Sequence, residues 1–281
     1  MRRSAAFALV TPAIGLVSLV FLAPFALLLV LSFWSLPEGS LIVQPDFTFS
    51  NYTRILGDTF YLRALGRTIA LAAATVAICV VLGFPTAFWI VRRAGAARRL
   101  ASALLLMPLV CGALLPALGL VNLLSPLGVV NGVLKSVGVI DKAIPFLGSL
   151  GGILIGLVQS FLPLMVMPII AVLDRLPQSY EEAAMSLGAS PAKVWARIVL
   201  PLAGPGILAG SVLVFCAALT SFVTPQILGQ GKISTFAALS WQQAALVLDW
   251  PFASALAMVM LLMMGLLVGA VSLMSKARVA K

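Results

Sequence analysis

The sequence predicts an all-α integral membrane protein with about six transmembrane helices. Of its 281 residues, 62% are hydrophobic and only 9% are charged, whereas about 25% of the residues in soluble domains are charged. Long apolar segments recur along the chain, and each approaches the roughly 20 residues that a helix needs to cross a bilayer. Such segments are helical because lipid offers their backbone groups no hydrogen-bond partner.

The first half of the chain contains three predicted spans. The first is the apolar run 7–34. It is much longer than the apolar core of a cleaved signal peptide, which has about 7–15 residues, so we expect it to stay uncleaved. A polar external segment follows at 36–67, with a short amphipathic helix at 51–65. The second span is predicted at 68–91 and the third at 100–124, joined by a short basic loop.

The second half contains three further spans, predicted at 150–173, 202–223 and 251–274. Two external loops are predicted at 125–148 and 224–250. The remaining polar break separates the fourth span from the fifth. This gives an N-terminal span with an external segment (1–67), a core transmembrane domain (68–275) that contains the polar loop 174–201, and a C-terminal tail (276–281).

The distribution of charge predicts the orientation in the membrane. Twelve Lys and Arg residues lie on the side that holds both termini and six on the other, whereas acidic residues number three and five. The basic residues of the first side are Arg2, Arg3, Arg92, Arg93, Arg98, Arg99, Arg175, Lys193, Arg197, Lys276, Arg278 and Lys281, and its acidic residues are Asp174, Glu181 and Glu182. The other side has Arg54, Arg63, Arg67, Lys135, Lys142 and Lys232, with Glu38, Asp46, Asp58, Asp141 and Asp249. The positive-inside rule therefore places both termini and the loop 174–201 in the cytoplasm. The basic excess reflects orientation and contact with lipid headgroups rather than nucleic-acid binding.

The loop between the fourth and fifth spans predicts two short helices joined by a tight turn. Ser179 and Glu182 have the spacing of a capping box, which predicts a helix start at Ser179. Gly188 suits a left-handed helix stop. Ser190 can cap a second helix whose first residue is Pro191, because a proline there loses no hydrogen bond. We expect this second helix to end before Pro201.

This loop resembles the signature loop of the permease subunits of binding-protein-dependent ABC importers. The family pattern is matched by Glu182-Ala183-Ala184, Gly188, Ile198 and Leu200-Pro201. A plain surface hairpin is the alternative. The resemblance implies a type I ABC importer permease fold in the bacterial inner membrane, and a loop that docks on an ATPase subunit. The residues expected to couple to the ATPase are Glu181, Glu182, Ala183, Ala184, Leu187, Gly188, Ala189, Ser190 and Trp195. Val194 is expected to add apolar contact, and Lys193 and Arg197 to meet either lipid phosphates or the ATPase.

The chain has no predicted catalytic or metal site. It contains no histidine, and its three cysteines lie in apolar runs. Gly231-Lys232 lacks the upstream glycine and the following Ser or Thr of a phosphate-binding loop. We therefore expect no enzyme activity and no bound cofactor. The resemblance implies ATP and Mg on two partner ATPase subunits, a second permease of the same fold and an external solute-binding protein, with membrane lipids around the chain.

A path for solute requires polar groups at membrane depth, and no predicted span carries a charge near its centre. The candidates are Asn122, Gln159, Ser160, Thr220, Ser221, Phe222, Thr224 and Gln226. Instead of meeting solute, the side chain of Gln159 could bond to a neighbouring helix. The hydroxyls of Thr220 and Ser221 could instead bond to carbonyls of their own helix.

Three further segments resemble spermidine/putrescine-type permeases, at 159–163, 173–176 and 222–229. This resemblance implies a polyamine solute, with ferric iron, aminophosphonates and amino-acid-like solutes as alternatives.

A second class of protein to consider is a transporter that works without ATP, which typically uses charges inside the membrane and inverted repeats. A third, an intramembrane protease with a Ser-His pair, is excluded by the missing histidine.

Glycines recur four residues apart in three predicted helical segments. They are Gly148, Gly152 and Gly156, then Gly206 and Gly210, and finally Gly265 and Gly269. Small residues at this spacing let helices approach closely in lipid. We expect packing within the chain, with a seam between subunits as the alternative.

Overall fold

The computed structural model describes the backbone of residues 2–37, 39 and 42–279, and the side chains of 15–37, 39 and 42–273. The regular structure described there is helical, apart from an isolated β-bridge between Ser35 and Gln44. The predicted all-α class is therefore confirmed. Some of the charges used for orientation lie outside these residues, namely Glu38, Lys281 and the side chains of Arg2, Arg3, Lys276 and Arg278.

The helices follow one another with short connections. In chain order they are α1 Arg2–Leu31, α2 Ser50–Gly57, α3 Thr59–Val91, α4 Gly95–Val110, α5 Leu114–Leu124, α6 Val129–Ser136, α7 Leu150–Leu173, α8 Ser179–Ser186, α9 Pro191–Val194, α10 Leu200–Leu202, α11 Gly204–Thr220, α12 Val223–Leu228, α13 Phe236–Gln242 and α14 Trp250–Val279. Two π-helical segments, Trp195–Val199 and Gln243–Val247, follow α9 and α13.

Four helical segments within the described residues are long and apolar enough to cross a membrane. They are Thr59–Val91, Leu114–Ser136, Leu150–Leu173 and Trp250–Leu273. A fifth forms if Pro191–Leu202 and Gly204–Thr220, which are bent by 64°, count as one span. The segment Gly15–Leu31 of α1 is a shorter apolar helix. The fourth predicted span, 150–173, coincides with α7.

Two predicted elements differ from the structure. The third span is not one helix, because α4 and α5 are separated at Gly112, which adopts the positive φ of 71° that favours glycine. The external helix predicted at 51–65 is confirmed in its first part, as α2, but it ends earlier than predicted. Asp58 ends α2, and its carboxylate accepts the N–H of Phe60 at 2.7 Å, so that α3 starts at Thr59, well before position 68. Both breaks are set by single residues inside otherwise helical sequence.

The predicted external loops contain helices of their own. The loop 125–148 contains α6, and the segment 224–250 contains α13, most of α12 and a π-helical segment. The buried amide of Asn131 holds the first of these loops. It donates to the carbonyls of Ser125 (3.0 Å) and Ile144 (3.1 Å) and accepts the N–H of Ile144. One side chain thus satisfies three backbone groups, which gives an apparently irregular segment a fixed shape.

The chain divides into two compact units. The first comprises Met1–Arg63 and Leu239–Gly269. In this unit the amide of Asn51 donates to the carbonyls of Ser32 and Trp34, both at 2.9 Å. Phe252 is fully buried, and its ring lies 5.1 Å from that of Tyr61.

The second unit comprises Ala64–Ala238 and Ala270–Lys281, and its core is built around α7. Met165, Val166 and Ile169 are fully buried there. Helix α11 packs closely on α7 at Gly210, where an added Cβ would lie 2.8 Å from the sulfur and 3.0 Å from the carbonyl oxygen of Met165. A Cβ at Gly156 would lie 2.3 Å from Leu228 of α12. The expectation of packing within the chain is confirmed at these two glycines.

The glycines of α14 differ from those of α7 and α11. A Cβ at Gly265 or at Gly269 would meet nothing within 4 Å. The close approach seen on α7 is therefore absent at these two positions of the described chain.

Candidate coupling site

The signature loop forms a helical hairpin, residues 179–202, which we call the coupling hairpin. Its first helix, α8, ends at a Schellman-type stop. The N–H of Gly188 donates to the carbonyl of Met185 (2.9 Å), and that of Ala189 to the carbonyl of Ala184 (3.1 Å). Gly188 has φ +83°, a conformation open to glycine at little cost. The predicted glycine stop is confirmed.

Helix α8 starts at Ser179 as predicted, but the predicted capping box is absent. The N-cap is Gln178, with helical φ and ψ and no side-chain cap bond, so Ser179 is already the first helical residue. The helical turn begins at Pro177, whose carbonyl accepts the N–H of Tyr180 at 3.3 Å. A capping serine needs an extended backbone, and Ser179 does not have one. The acidic residues Glu181 and Glu182 lie in the first turn, where the helix dipole favours negative charge.

The second helix of the hairpin starts as predicted and ends later. Ser190 is the extended N-cap and Pro191 the first helical residue, although the Ser190 side chain makes no cap bond. Helical structure continues through a π-helical turn, in which the N–H of Leu200 donates to the carbonyl of Trp195, and ends with α10. The expected end before Pro201 is therefore wrong. A wider turn accommodates a proline, because the proline ring crowds the carbonyl one turn back.

The inner face of the hairpin is apolar. The ring of Trp195 lies 4.7 Å from that of Phe84 and 6.2 Å from that of Phe88, both on α3. Val194 and Val199 are 4% and 2% exposed. The expectation that Val194 offers contact to a partner is therefore wrong, and the ring of Trp195 packs within the chain. These residues extend the core cluster of α3 and α7 into the hairpin.

The outer face of the hairpin is exposed at its turn. The exposed members of the predicted coupling set are Glu182, Ala183, Leu187, Gly188 and Ser190. Leu187 is 89% exposed. Ala184 and Ala189 are partly buried and pack against the apolar cluster. Lys193 and Arg197 are exposed.

Glu181 differs from its exposed neighbour Glu182. Its carboxylate forms an ion pair with Arg92, which follows α3, and the two side chains are only 18% and 19% exposed. The guanidinium of Arg92 lies 5.4 Å from the ring centre of Phe88, and its buried Nε has no hydrogen-bond partner. The sequence places Glu181 and Arg92 on one side of the membrane but does not predict their pairing, because nothing in their spacing indicates it.

A second ion pair joins the same two regions. The guanidinium of Arg98, at the start of α4, lies 2.6 Å from the carboxylate of Asp174, the C-cap of α7. Both side chains are more than one-third exposed. Beside the coupling hairpin is an apolar cavity of about 300 Å³, lined by Phe88, Glu181, Met185, Pro191, Ala192, Val194, Trp195 and Val199.

The candidates for the solute path occupy different environments. On the long helices, Gln159 of α7 is exposed, whereas Ser160 is 9% exposed. Asn122 of α5 is exposed, and its amide donates to the carbonyl of Leu118 at 3.2 Å. Among the side chains that the structure describes, no group of three or more His, Cys, Asp or Glu residues could hold a metal ion.

The remaining candidates surround the end of α11. The hydroxyl of Thr220 donates to the carbonyl of Cys216 at 3.0 Å. This is the bond to its own helix that the sequence suggested as the alternative to contact with solute. Ser221, Phe222 and Gln226 are partly buried. Thr224 is 1% exposed, and its hydroxyl oxygen is buried without a hydrogen-bond partner. Its methyl group lies 2.6 Å from the position of a Cβ at Gly156, so Thr224 packs directly on α7.

The family model of the inner membrane component of binding-protein-dependent transport systems matches residues 79–280, which include the whole coupling hairpin. The chain belongs to this family, as the signature loop predicted, and is a permease subunit of a transport system of this class.

The structure is similar to a chain of a bacterial ABC transporter involved in the import of the acidic polysaccharide alginate. Its TM-score is 0.77 at 20% identity, and the match covers 100% of this chain and 97% of that one. The predicted importer permease fold is confirmed.

Curated relatives resemble the chain over most of its length. The spermidine/putrescine transport system permease protein PotB of Escherichia coli (strain K12) is 34% identical over 252 residues, 90% of each chain. PotB of Haemophilus influenzae is 29% identical over 264 residues, 93% of this chain and 92% of the relative. The molybdenum transport system permease protein ModB of Mycobacterium bovis is 33% identical over 159 residues, 57% of this chain and 58% of the relative.

Proposed function

We propose that this permease carries polyamines, of the spermidine and putrescine type, across the bacterial inner membrane. The supporting observation is the 34% identity to PotB over 90% of both chains. The similarity to the molybdenum permease, although almost as high in identity, covers 57% of this chain. Ferric iron, aminophosphonates and amino-acid-like solutes are the alternatives within the same class of importer.

We propose that the exposed turn of the coupling hairpin docks on a partner ATPase, which binds ATP and Mg and performs the hydrolysis. Glu182 and Leu187 face outward there, one offering a charge and the other an apolar side chain. Leu187 exposes most of its surface on a loop, and burial of an apolar surface of this kind drives association. The inner face of the hairpin is held on Phe84 of α3 by Trp195.

We further propose the arrangement of the complete importer. A second permease of the same fold completes the solute path, and an external solute-binding protein delivers polyamine to the external segments that contain α6 and α13. Both termini and the coupling hairpin face the cytoplasm, in accordance with the positive-inside rule. Gln159 lies on the exposed face of the long helix α7. We therefore propose that its side chain meets solute.

Uptake of labelled solute tests this proposal. Cells that express the permease with its cognate ATPase and binding protein are given spermidine, putrescine, ferric iron, an aminophosphonate or an amino acid. We expect uptake of the two polyamines, and its loss in the Glu182→Ala variant together with weaker co-purification of the ATPase. Uptake of another solute alone would reject the polyamine assignment. Full uptake by Glu182→Ala would reject the docking role of the hairpin turn.

The binding protein gives an independent measurement of the solute. A ligand stabilises the folded protein that binds it by mass action. We expect spermidine or putrescine to raise the unfolding temperature of the cognate binding protein, whereas the other solutes leave it unchanged. A shift with an anionic or zwitterionic solute would contradict the polyamine assignment and leave the role of the hairpin unaffected.

A further inference from the structure

The ion pair between Arg92 and Glu181 lies between two elements that the mechanism must connect. Arg92 follows the last residue of α3, and Glu181 lies in the first turn of α8. Less than one-fifth of either side chain is exposed. An ion pair shielded in this way is less screened by solvent and salt than a surface pair. The pair also joins residues 89 positions apart, so it fixes the position of one element relative to the other.

The two neighbouring acidic residues of α8 have separate environments. Glu182 is exposed, whereas Glu181 turns toward Arg92. Arg98 and Asp174 provide a second link between the α3–α4 region and the segment that precedes the hairpin, but both are more than one-third exposed. Exposed pairs contribute little. The link that can carry a directed force between these regions is therefore the pair formed by Glu181.

The packing around the pair supports the same conclusion. A cavity of about 300 Å³ lies beside α8 and is lined by Phe88 of α3, Glu181 and Met185. Close-packed side chains transmit displacement directly, whereas a void does not. The contact of Trp195 with Phe84 and Phe88 is apolar and fixes no direction. The charge-assisted hydrogen bond from Nη2 of Arg92 to the carboxylate of Glu181 is directional.

We propose that Arg92 and Glu181 are positioning residues that transmit movement of the coupling hairpin to α3. The proposal rests on the proposed role of the hairpin in docking the ATPase. When the ATPase displaces α8, Glu181 carries Arg92 and the end of α3 with it. Glu182 holds the ATPase, and Glu181 connects that contact to the membrane helices. Loss of the pair then uncouples ATP hydrolysis from transport while the ATPase stays bound.

Charge exchange tests the proposal in the complete importer. The variants are Glu181→Gln, Arg92→Met, Arg92→Lys and the double variant Glu181→Arg with Arg92→Glu. Arg99→Met is the matched control, because Arg99 is exposed and forms no ion pair within the described chain. Three quantities are measured for each variant: labelled spermidine uptake, ATP hydrolysis by the reconstituted complex, and the amount of ATPase that co-purifies.

We expect Glu181→Gln and Arg92→Met each to lower the uptake per ATP hydrolysed by about tenfold, within the range of typical coupling between sites. ATPase co-purification stays at the wild-type level. The charge exchange restores most of the lost uptake, and Arg92→Lys retains more than Arg92→Met. Arg99→Met behaves as wild type.

Three results would overturn the proposal. One is normal coupling in both single variants. Another is a charge exchange that reaches the membrane and binds ATPase but remains as uncoupled as the single variants. The third is loss of ATPase binding in Glu181→Gln, which would place Glu181 in the docking contact itself. The double variant could fail to reach the membrane. In that case, an equal uptake per ATP hydrolysed in Arg92→Lys and Arg92→Met overturns the proposal. If the wild type takes up no spermidine, the polyamine assignment fails, and the uptake per ATP hydrolysed is compared among the variants with the labelled solute that the wild type does take up.

Discussion

Trp195 joins the coupling hairpin to α3 through its ring. The resemblance of the loop to importer permeases implied that Trp195 offers an apolar contact to the ATPase. In the structure it packs on Phe84 and Phe88, whose positions in a span gave no indication of this contact. Contacts between residues more than 100 positions apart depend on how helices pack, and periodicity along one helix does not reveal them.

At this scale we predict that Trp195→Ala loosens the hairpin. Truncation of a buried aromatic residue typically costs about 3–5 kcal/mol, and the partial exposure of Trp195 places its cost below that range. Trp195→Phe retains a ring on Phe84 and is the matched control. Limited proteolysis of the purified protein, followed over time, measures the effect. We expect faster cleavage within residues 179–202 in Trp195→Ala alone, and equal cleavage in both variants would contradict the role of the ring.

Single glycines decide where two of the helical elements end. Gly188 ends α8 with φ +83°, and its place in the sequence predicts this stop. Gly112 breaks the predicted third span with φ +71°, yet it was expected to lie inside a helix. Both are glycines in apolar or mixed sequence. The difference is that Gly188 stands between polar residues that can cap helices, whereas Gly112 is surrounded by apolar residues that fit a continuous span equally well.

For the turn between α8 and α9 we predict that Gly188→Ala is strained. A side chain in the left-handed region costs roughly 1–2 kcal/mol. A Cβ at Gly188 meets nothing within 4 Å, so the cost arises from the backbone and not from a clash. Gly188→Asn is the matched control, because asparagine adopts this conformation more readily. Uptake is expected to fall in Gly188→Ala and to recover in Gly188→Asn, and identical uptake in the two variants would exclude backbone strain as the cause.

For the packing of α11 on α7 we predict that Gly210→Ala is destabilising, by about 1–3 kcal/mol as in other overpacked cores. The added Cβ would lie 3.1 Å from the Cα and 3.0 Å from the carbonyl oxygen of Met165, so backbone must move. Gly265→Ala is the control, since its Cβ would meet nothing within 4 Å of the described chain. The midpoint of thermal unfolding in detergent, measured for each variant alone, should fall for Gly210→Ala only. Equal midpoints would contradict close packing at Gly210.

At the scale of the whole molecule, composition and hydropathy were enough to predict the fold class and the bounds of α7, because membrane insertion depends on the summed hydropathy of a segment. The signature residues from Glu182 to Pro201 were enough for the family. The short helices α6, α12 and α13 were not found. Helix α6 is held by the bonds of Asn131 to Ser125 and Ile144, which local pattern does not reveal. The pairing of Glu181 with Arg92 was not found for the same reason.

The orientation of the whole chain can be tested by labelling introduced cysteines. Cys111 is exposed and would react, so it is first replaced by serine. Ser190→Cys then reports on the coupling hairpin and Lys135→Cys on the end of α6, both at exposed positions. A maleimide that does not cross membranes is added to intact spheroplasts. Since the charge asymmetry places basic loops in the cytoplasm, we expect it to label Lys135→Cys alone, and Ser190→Cys only after permeabilisation. Labelling of Ser190→Cys in intact spheroplasts would place the hairpin outside and remove it from any contact with an ATPase that uses cytoplasmic ATP.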